Sequence, residues 1–185
     1  MNKKIAKIIF IGIIFLASFL RLWQLGITPI SPDWDEVALG YDAYSILNTG
    51  RDEFGNFMPV VLRSFDDYKP ALYSYLAVPM VGLFGLDTFA TRLPSAIFGI
   101  FTVVAVYFLT KELFEYGLVL DINKVDSEII ALLTAFLLAI SPWHIQFSRI
   151  AFEANVGLGL NIFAILFFIK AMKKPWFLSL SAFFA

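Results

Sequence analysis

The chain has 185 residues, 59% of them hydrophobic, including 21 Phe, and a mean hydropathy of +0.78. Soluble domains run near half apolar, so the excess points to lipid as the solvent for much of the chain. A formal net charge of -1 excludes a global pull toward nucleic acid; the lack of Cys excludes disulfides and thiolate metal sites, and a lone histidine, His144, excludes an all-histidine metal centre within the chain.

The N-terminus, Met1-Asn2-Lys3-Lys4-Ile5-Ala6-Lys7, leads into an apolar run. Signal peptides share this order, but Ile8–Leu25 carries only one charge, Arg21, and no small-x-small cleavage signal follows, which favours a retained helix. About 20 residues at roughly 1.5 Å each cross a hydrocarbon core of roughly 30 Å. On that measure spans are expected at about 5–25, 93–114, 128–142 and 154–170, with an apolar stretch at 175–185 too short to cross. The expected architecture is all-α: a polytopic transmembrane helix bundle, with residues 1–185 forming the N-terminal part of one transmembrane domain. The short last segment is expected to continue in a longer polypeptide.

Ala71–Leu86 is apolar, but it has 16 residues with Pro79 in the middle, a length that suits an interfacial or re-entrant helix. If it does not span, the positive-inside rule is met by every lysine cluster: Lys3, Lys4 and Lys7, Lys111 and Lys124, and Lys170, Lys173 and Lys174 all fall on the cytoplasmic side. The N-terminus is then cytoplasmic, and outside loops lie at about 26–91 and 141–155. The first loop holds three basic residues (Arg51, Arg63, Lys69) and nine acidic ones (Asp33, Asp35, Glu36, Asp42, Asp52, Glu53, Asp66, Asp67, Asp87). Loops this long are often functional.

Within the first loop, Pro32 suits the first helical position and Ser31 or Asp33 can cap. Val37, Tyr41, Tyr44 and Leu47 fall on one helical stripe, which predicts an amphipathic helix at the membrane surface ended by Asn48-Thr49-Gly50. Arg51–Asn56 reads as a turn and Phe57–Leu62 as a short extended piece. Asp35 and Glu36 are adjacent, so on a helix they point about 100° apart and do not form a dyad sharing one proton. Asp33 and Glu36 fit a capping box, and acids in a first turn favour the helix dipole, so a purely structural role accounts for both. A base role for Asp35 is the functional alternative.

The second outside region, Ser141–Glu153, opens with a helix-breaking Ser-Pro and a Trp suited to headgroup depth. Arg149 and Glu153 stand four apart, as in a helical ion pair. Arginine at a membrane surface also suits bidentate phosphate binding, as Lys69 does with a point charge. His144 is either a satisfied interfacial residue or a participant in substrate handling.

An ordered set of features resembles the GT-C superfamily of glycosyltransferases, specifically the protein O-mannosyltransferase and aminoarabinose-transferase group. The matching residues are Leu20-Arg21-Leu22-Trp23, Asp35-Glu36, Tyr41–Gly50, Lys69-Pro70-Ala71-Leu72-Tyr73, Leu83-Phe84-Gly85, Arg92-Leu93-Pro94-Ser95 and the helix Phe98–Phe114. The resemblance covers nearly the whole chain. It implies a multi-pass plasma-membrane enzyme with an extracytoplasmic active site and the acidic "DE" pair, Asp35 and Glu36, as catalytic residues with Asp35 the base. The donor is a polyprenyl-phosphate sugar, and transfer to a hydroxyl acceptor inverts the anomeric centre. Arg149 and Lys69 are the expected donor-phosphate residues, with His144, Glu153 and Tyr44 as substrate or support residues. The chain departs from relatives in Lys-Pro-Ala, where many have Lys-Pro-Pro, and in Glu153, where many have Asp.

Two other classes of protein share an apolar, multi-helix chain. A transporter or flippase calls for ionisable residues within the spans, and Leu93–Thr110 and Ala154–Ile169 hold none. A non-catalytic membrane scaffold would use the acidic loop to bind a partner or a divalent cation. Nine carboxylates leave room for such a cation, although EF-hand spacing is missing.

Overall fold

A computed structural model describes residues 1–64, 67–116 and 126–185. Asp66 as a loop acid and Lys124 as a cytoplasmic charge therefore lie outside the described residues. The elements in order are α1 (Lys3–Leu22), α2 (Trp34–Thr49), β1 (Val61–Ser64), β2 (Asp67–Pro70), α3 (Leu72–Phe84), α4 (Thr88–Glu115), α5 (Ser127–Ala139), α6 (Pro142–Ser148), α7 (Glu153–Ala171) and α8 (Phe177–Phe184). The architecture is an all-α membrane helix bundle. α1, α4 and α7 are long and apolar enough to cross a bilayer, and α5 with α6, bent by 60° at the Ser-Pro break, makes a fourth candidate. α3, at 13 residues or about 20 Å, is too short to cross.

By contacts the chain divides into two compact units, one of residues 1–20, 99–145 and 157–185 and one of residues 21–98 and 146–156. The first unit is held by small residues. Ala6, Ile13 and Ala17 of α1 share a core with Val103 and Tyr107 of α4 and Ala131, Leu132, Ala135 and Ala139 of α5. Lipid tails are as apolar as leucine, so close backbone approach at alanines supplies the packing gain. Phe10 stacks on Tyr107 at 4.0 Å, the Tyr107 hydroxyl meets Glu128, and Lys111 pairs with Glu128 at 2.7 Å. Ser181 of α8 donates to the Ala164 carbonyl of α7 at 2.9 Å.

The second unit is built around α2. Its N-terminus is the capping box expected from Asp33 and Glu36, with Asp33 as N-cap; Pro32 lies one residue outside the cap rather than at the first helical position. The helix ends at Gly50, whose φ of 68° is the left-handed conformation glycine tolerates. The predicted stripe Val37, Tyr41, Tyr44 and Leu47 is exposed, while Leu39, Ala43 and Ile46 are buried. Ala43 packs with Ala77 and Val81 of α3 and Ala90 of α4. The turn after α2 is organised by the Asp52 carboxylate, which accepts from the Phe54 and Asn56 amides and the Asn56 side chain.

The extended piece lies later than expected and gains a partner. β1 pairs antiparallel with β2, with Leu62 opposite Lys69 and Ser64 opposite Asp67. Leu62, Ser64 and Lys69 are buried, and the alternation follows from the two-residue period of a strand. Lys69 and Pro70 close β2, and α3 begins two residues on at Leu72. α4 begins at Thr88, earlier than the apolar run, because the Asp87 carboxylate caps it through the Ala90 amide at 2.6 Å.

Gly40 of α2 lies against α4. A Cβ there would come within 2.6 Å of Thr91 Oγ1, and the Thr91 hydroxyl is committed to the Asp87 carbonyl at 2.8 Å. At Gly82 of α3 a Cβ would meet only Leu47 at an ordinary 3.7 Å. Gly40→Ala is expected to lower the thermal unfolding midpoint despite its gain in helix propensity. Gly82→Ala should leave it unchanged or raise stability by up to about 1 kcal/mol. Thermal melts in one detergent compare the two directly.

Candidate active site

The second unit brings Lys69 and Arg92, from distant parts of the sequence, to the two adjacent acids Asp35 and Glu36 in the first turn of α2. Glu36 and Arg92 form a fully buried ion pair in which Arg92 Nε donates to Oε1 and Nη2 to Oε2, both at 2.8 Å. The remaining guanidinium N–H groups go to the carbonyls of Leu25 (3.1 Å), Pro29 (2.8 Å) and Ser31 (3.4 Å), so all five donors are used. Glu36 is equally saturated. It also accepts from the Asp33 amide at 3.0 Å and the Ala151 amide at 2.6 Å. Burial pushes the Glu36 carboxyl up, but the hydrogen bonds from Arg92, Ala151 and Asp33 and the Arg92 charge outweigh it and hold the group below its ordinary value.

Asp35 stands beside this cage in a different state. Its side chain is half exposed and forms an ion pair with the Lys69 ammonium, itself 5% exposed. A lysine has three donors. Among the described residues Asp35 is the one ionic partner of Lys69, and the Nζ atom is otherwise buried without a hydrogen-bond partner. Arg149 lies in the turn after α6, where Nη2 donates to the Thr28 carbonyl at 2.8 Å. Burial, followed by the nearby Arg92 charge, pushes its pKa down.

Glu153 opens α7. Arg149 and Glu153 are thus not two residues of one helix, and the expected helical ion pair gives way to a turn, because Ala151 and Phe152 leave the helical path. One Glu153 carboxylate oxygen is buried without a hydrogen-bond partner among the described residues. Tyr44 is exposed on α2, and His144 is buried on α6, in the first unit. Among the described residues no three His, Cys, Asp or Glu side chains gather as metal ligands would.

Arg92 stood in the sequence only as part of Arg92-Leu93-Pro94-Ser95. The available signal was a charge in the first turns of an apolar helix, a position that calls for a partner. Ser95 and Asn155 were also unforeseen. Asn155 Nδ2 donates to the Ser95 carbonyl and hydroxyl at 2.9 and 3.0 Å, and Ser95 Oγ donates to the Phe147 carbonyl at 3.0 Å. These bonds fix the turn that carries Arg149 to the start of α4.

Residues 68–185 match the family described as dolichyl-phosphate-mannose-protein mannosyltransferase, and the chain belongs to that family. No curated protein and no solved structure matches the chain. Family and helices together define an integral membrane glycosyltransferase of the GT-C type. The match begins just before Lys69 and takes in Arg92 and Arg149, while Asp35 and Glu36 lie upstream of it.

Two predictions follow from the electrostatics. Arg92→Met would leave Glu36 buried and unpaired, and a loss of about 3–5 kcal/mol is expected, read as a collapse in folded yield and melting temperature. Asp42 is buried, and burial, opposed by a hydrogen bond from the Glu53 amide and reinforced by the Glu53 and Asp52 charges, raises its pKa from 3.8 to about 6. The folded state then holds this proton more tightly than the unfolded chain, so stability from this group is greatest below pH 3.8 and is lost as pH rises toward 6. Asp42→Asn should melt at a higher temperature than wild type at pH 7.5, and the gap should close as pH falls below about 6.

Proposed function

We propose that this chain carries the catalytic face of an inverting glycosyltransferase, moving a sugar from a polyprenyl-phosphate donor to a hydroxyl acceptor at the outer face of the plasma membrane. The family description favours mannose as that sugar. The observation that carries the reading is the division of labour in the acidic pair. Glu36 has every lone pair occupied, whereas Asp35 is half exposed and held by a buried ammonium. A saturated carboxylate positions; an exposed one can take a proton.

In the step proposed, the Asp35 carboxylate accepts the acceptor hydroxyl's proton as that oxygen bonds to the anomeric carbon, and the bond from that carbon to the phosphate oxygen breaks. A leaving phosphate, with a second pKa near about 6, needs charge stabilisation rather than a proton. The unused donors of Lys69 and the guanidinium of Arg149 supply it. Attack opposite the leaving group inverts the centre. This differs from a glycosidase, which places two carboxylates across the bond. Glu36 and Arg92 act through Asp35 by fixing the first turn of α2.

The lysines support the orientation proposed. In the first unit Lys3, Lys7 and Lys111 line one cavity of about 730 Å³, and Lys173 pairs with Glu112 at 3.1 Å, so these cations collect near the same end of α4. That end is the cytoplasmic one by the positive-inside rule.

Asp35→Asn in the full-length enzyme is expected to lower kcat by about 10²–10⁴, with a melting curve separating loss of the base from loss of the Lys69 ion pair, and Asp35→Glu should recover part of the activity. Turnover near wild type would remove Asp35 as the base. These 185 residues hold no Cys, so a cysteine introduced among them, in a full-length background without other reactive thiols, reports topology. Arg63→Cys should react with a membrane-impermeant maleimide on intact cells and Lys173→Cys should not; the reverse pattern overturns the orientation.

A further inference from the structure

Beside the Asp35–Lys69 pair lies a cavity of about 530 Å³ between α2, the turn after it and β1. Trp34 and Tyr41 of α2 and Phe54 of the turn give it aromatic walls, while Glu53, Arg63 and Ser64 supply its polar groups. The volume is in the range of small-ligand sites. Trp34 adjoins Asp35 in sequence, and Ser64 shares the buried face of the hairpin with Lys69, so cavity and ion pair are neighbours.

Three features define what fits. The Arg63 guanidinium lies over the Phe54 ring at 5.4 Å, and no carboxylate pairs with it among the described residues. The Glu53 carboxylate makes no ion pair or hydrogen bond with another side chain among the described residues, while its amide is held on Asp42 at 3.1 Å. Ser64 is 3% exposed, yet its hydroxyl has no hydrogen-bond partner among the described residues. A buried hydroxyl without a partner carries a desolvation cost that a ligand's hydrogen bond would relieve.

We infer that this cavity is a carbohydrate subsite that takes one pyranose ring of a glycan acceptor. The apolar face of a pyranose lies flat on aromatic rings. Its hydroxyls donate to a carboxylate such as Glu53 and accept from a guanidinium such as Arg63, and one can satisfy the Ser64 hydroxyl. The alternatives fit less well. An isoprenoid chain would leave Ser64, Glu53 and Arg63 without partners. A phosphate would meet the Glu53 carboxylate and three aromatic walls. Placement next to Asp35 makes the bound ring part of the acceptor. That role rests on the reading of Asp35 as base; the binding itself does not.

The test uses the full-length protein in nanodiscs, free of glycoside detergents, which would compete. Saturation-transfer NMR with methyl α-mannopyranoside, methyl β-glucopyranoside and their disaccharides reports binding. Transfer to ring protons of at least one saccharide is expected. Glu53→Gln, Arg63→Leu and Phe54→Ala should each weaken it by roughly tenfold. All three side chains are on the surface of a turn or strand, and unchanged melting temperatures would separate lost binding from lost folding. Asp35→Asn should bind saccharide like wild type. No transfer from any saccharide, transfer indifferent to the three variants, or displacement of the saccharide by a short prenol would overturn the subsite. Activity surviving in Asp35→Asn would instead defeat the base assignment and leave the subsite standing.

Discussion

The buried pair of Glu36 and Arg92 sets the geometry on which the candidate site depends. Nine hydrogen-bonding positions meet there: five donors of one guanidinium and four lone-pair sites of one carboxylate, each with a partner. Two charges out of water are costly unless their remaining valences are met. Here the carbonyls of Leu25, Pro29 and Ser31 and the amides of Asp33 and Ala151 meet them. The same bonds tie the segment leaving α1, the first turn of α2, the start of α4 and the turn before α7 into one unit. A carboxylate serving as a hub has no lone pair left over, whereas its neighbour Asp35, half exposed, is the acid on which the proposed chemistry rests.

The hairpin adds what the hub lacks. A four-residue strand pair is marginal by itself. It is useful here because its two-residue period buries Lys69 against α2 on the same face as Ser64. The buried ammonium holds Asp35 in place, and neither its other donors nor the Ser64 hydroxyl has a hydrogen-bond partner among the described residues. Aromatic residues on the exposed face of α2 that would be a liability in water are in keeping with a surface helix at a membrane, where ring faces meet lipid or a sugar.

Small residues make these arrangements possible. Gly40 lets α2 approach Thr91, and Ala43, Ala77 and Ala90 let three helices meet with little side-chain volume between them. The first unit repeats the solution with Ala6, Ala17, Ala131, Ala135 and Ala139. Where lipid cannot drive association by hydrophobicity, close packing and satisfied polar groups such as Tyr73 on the Thr91 carbonyl and Ser74 on the Leu39 carbonyl hold helices together.

Local chemistry was legible in the sequence. Apolar length picked out the long helices α1, α4 and α7, Asp33 and Glu36 marked the start of α2, Gly50 its end, and Asp52 with Gly55 lies in the expected turn. These are short-range effects, decided within a few residues by hydrogen-bond reach and backbone sterics. The hairpin register, the Arg149 turn and the hub were decided by tertiary structure, because each pairs residues far apart in the chain: Leu62 with Lys69, Arg149 with Thr28, Glu36 with Arg92 and Ala151. The capping-box spacing marks Glu36 and not Asp35 as the residue that reaches back to Asp33, but it does not say which carboxylate is buried. Only the arrival of a buried guanidinium at one carboxylate and of an ammonium at the other separates a structural acid from an exposed one.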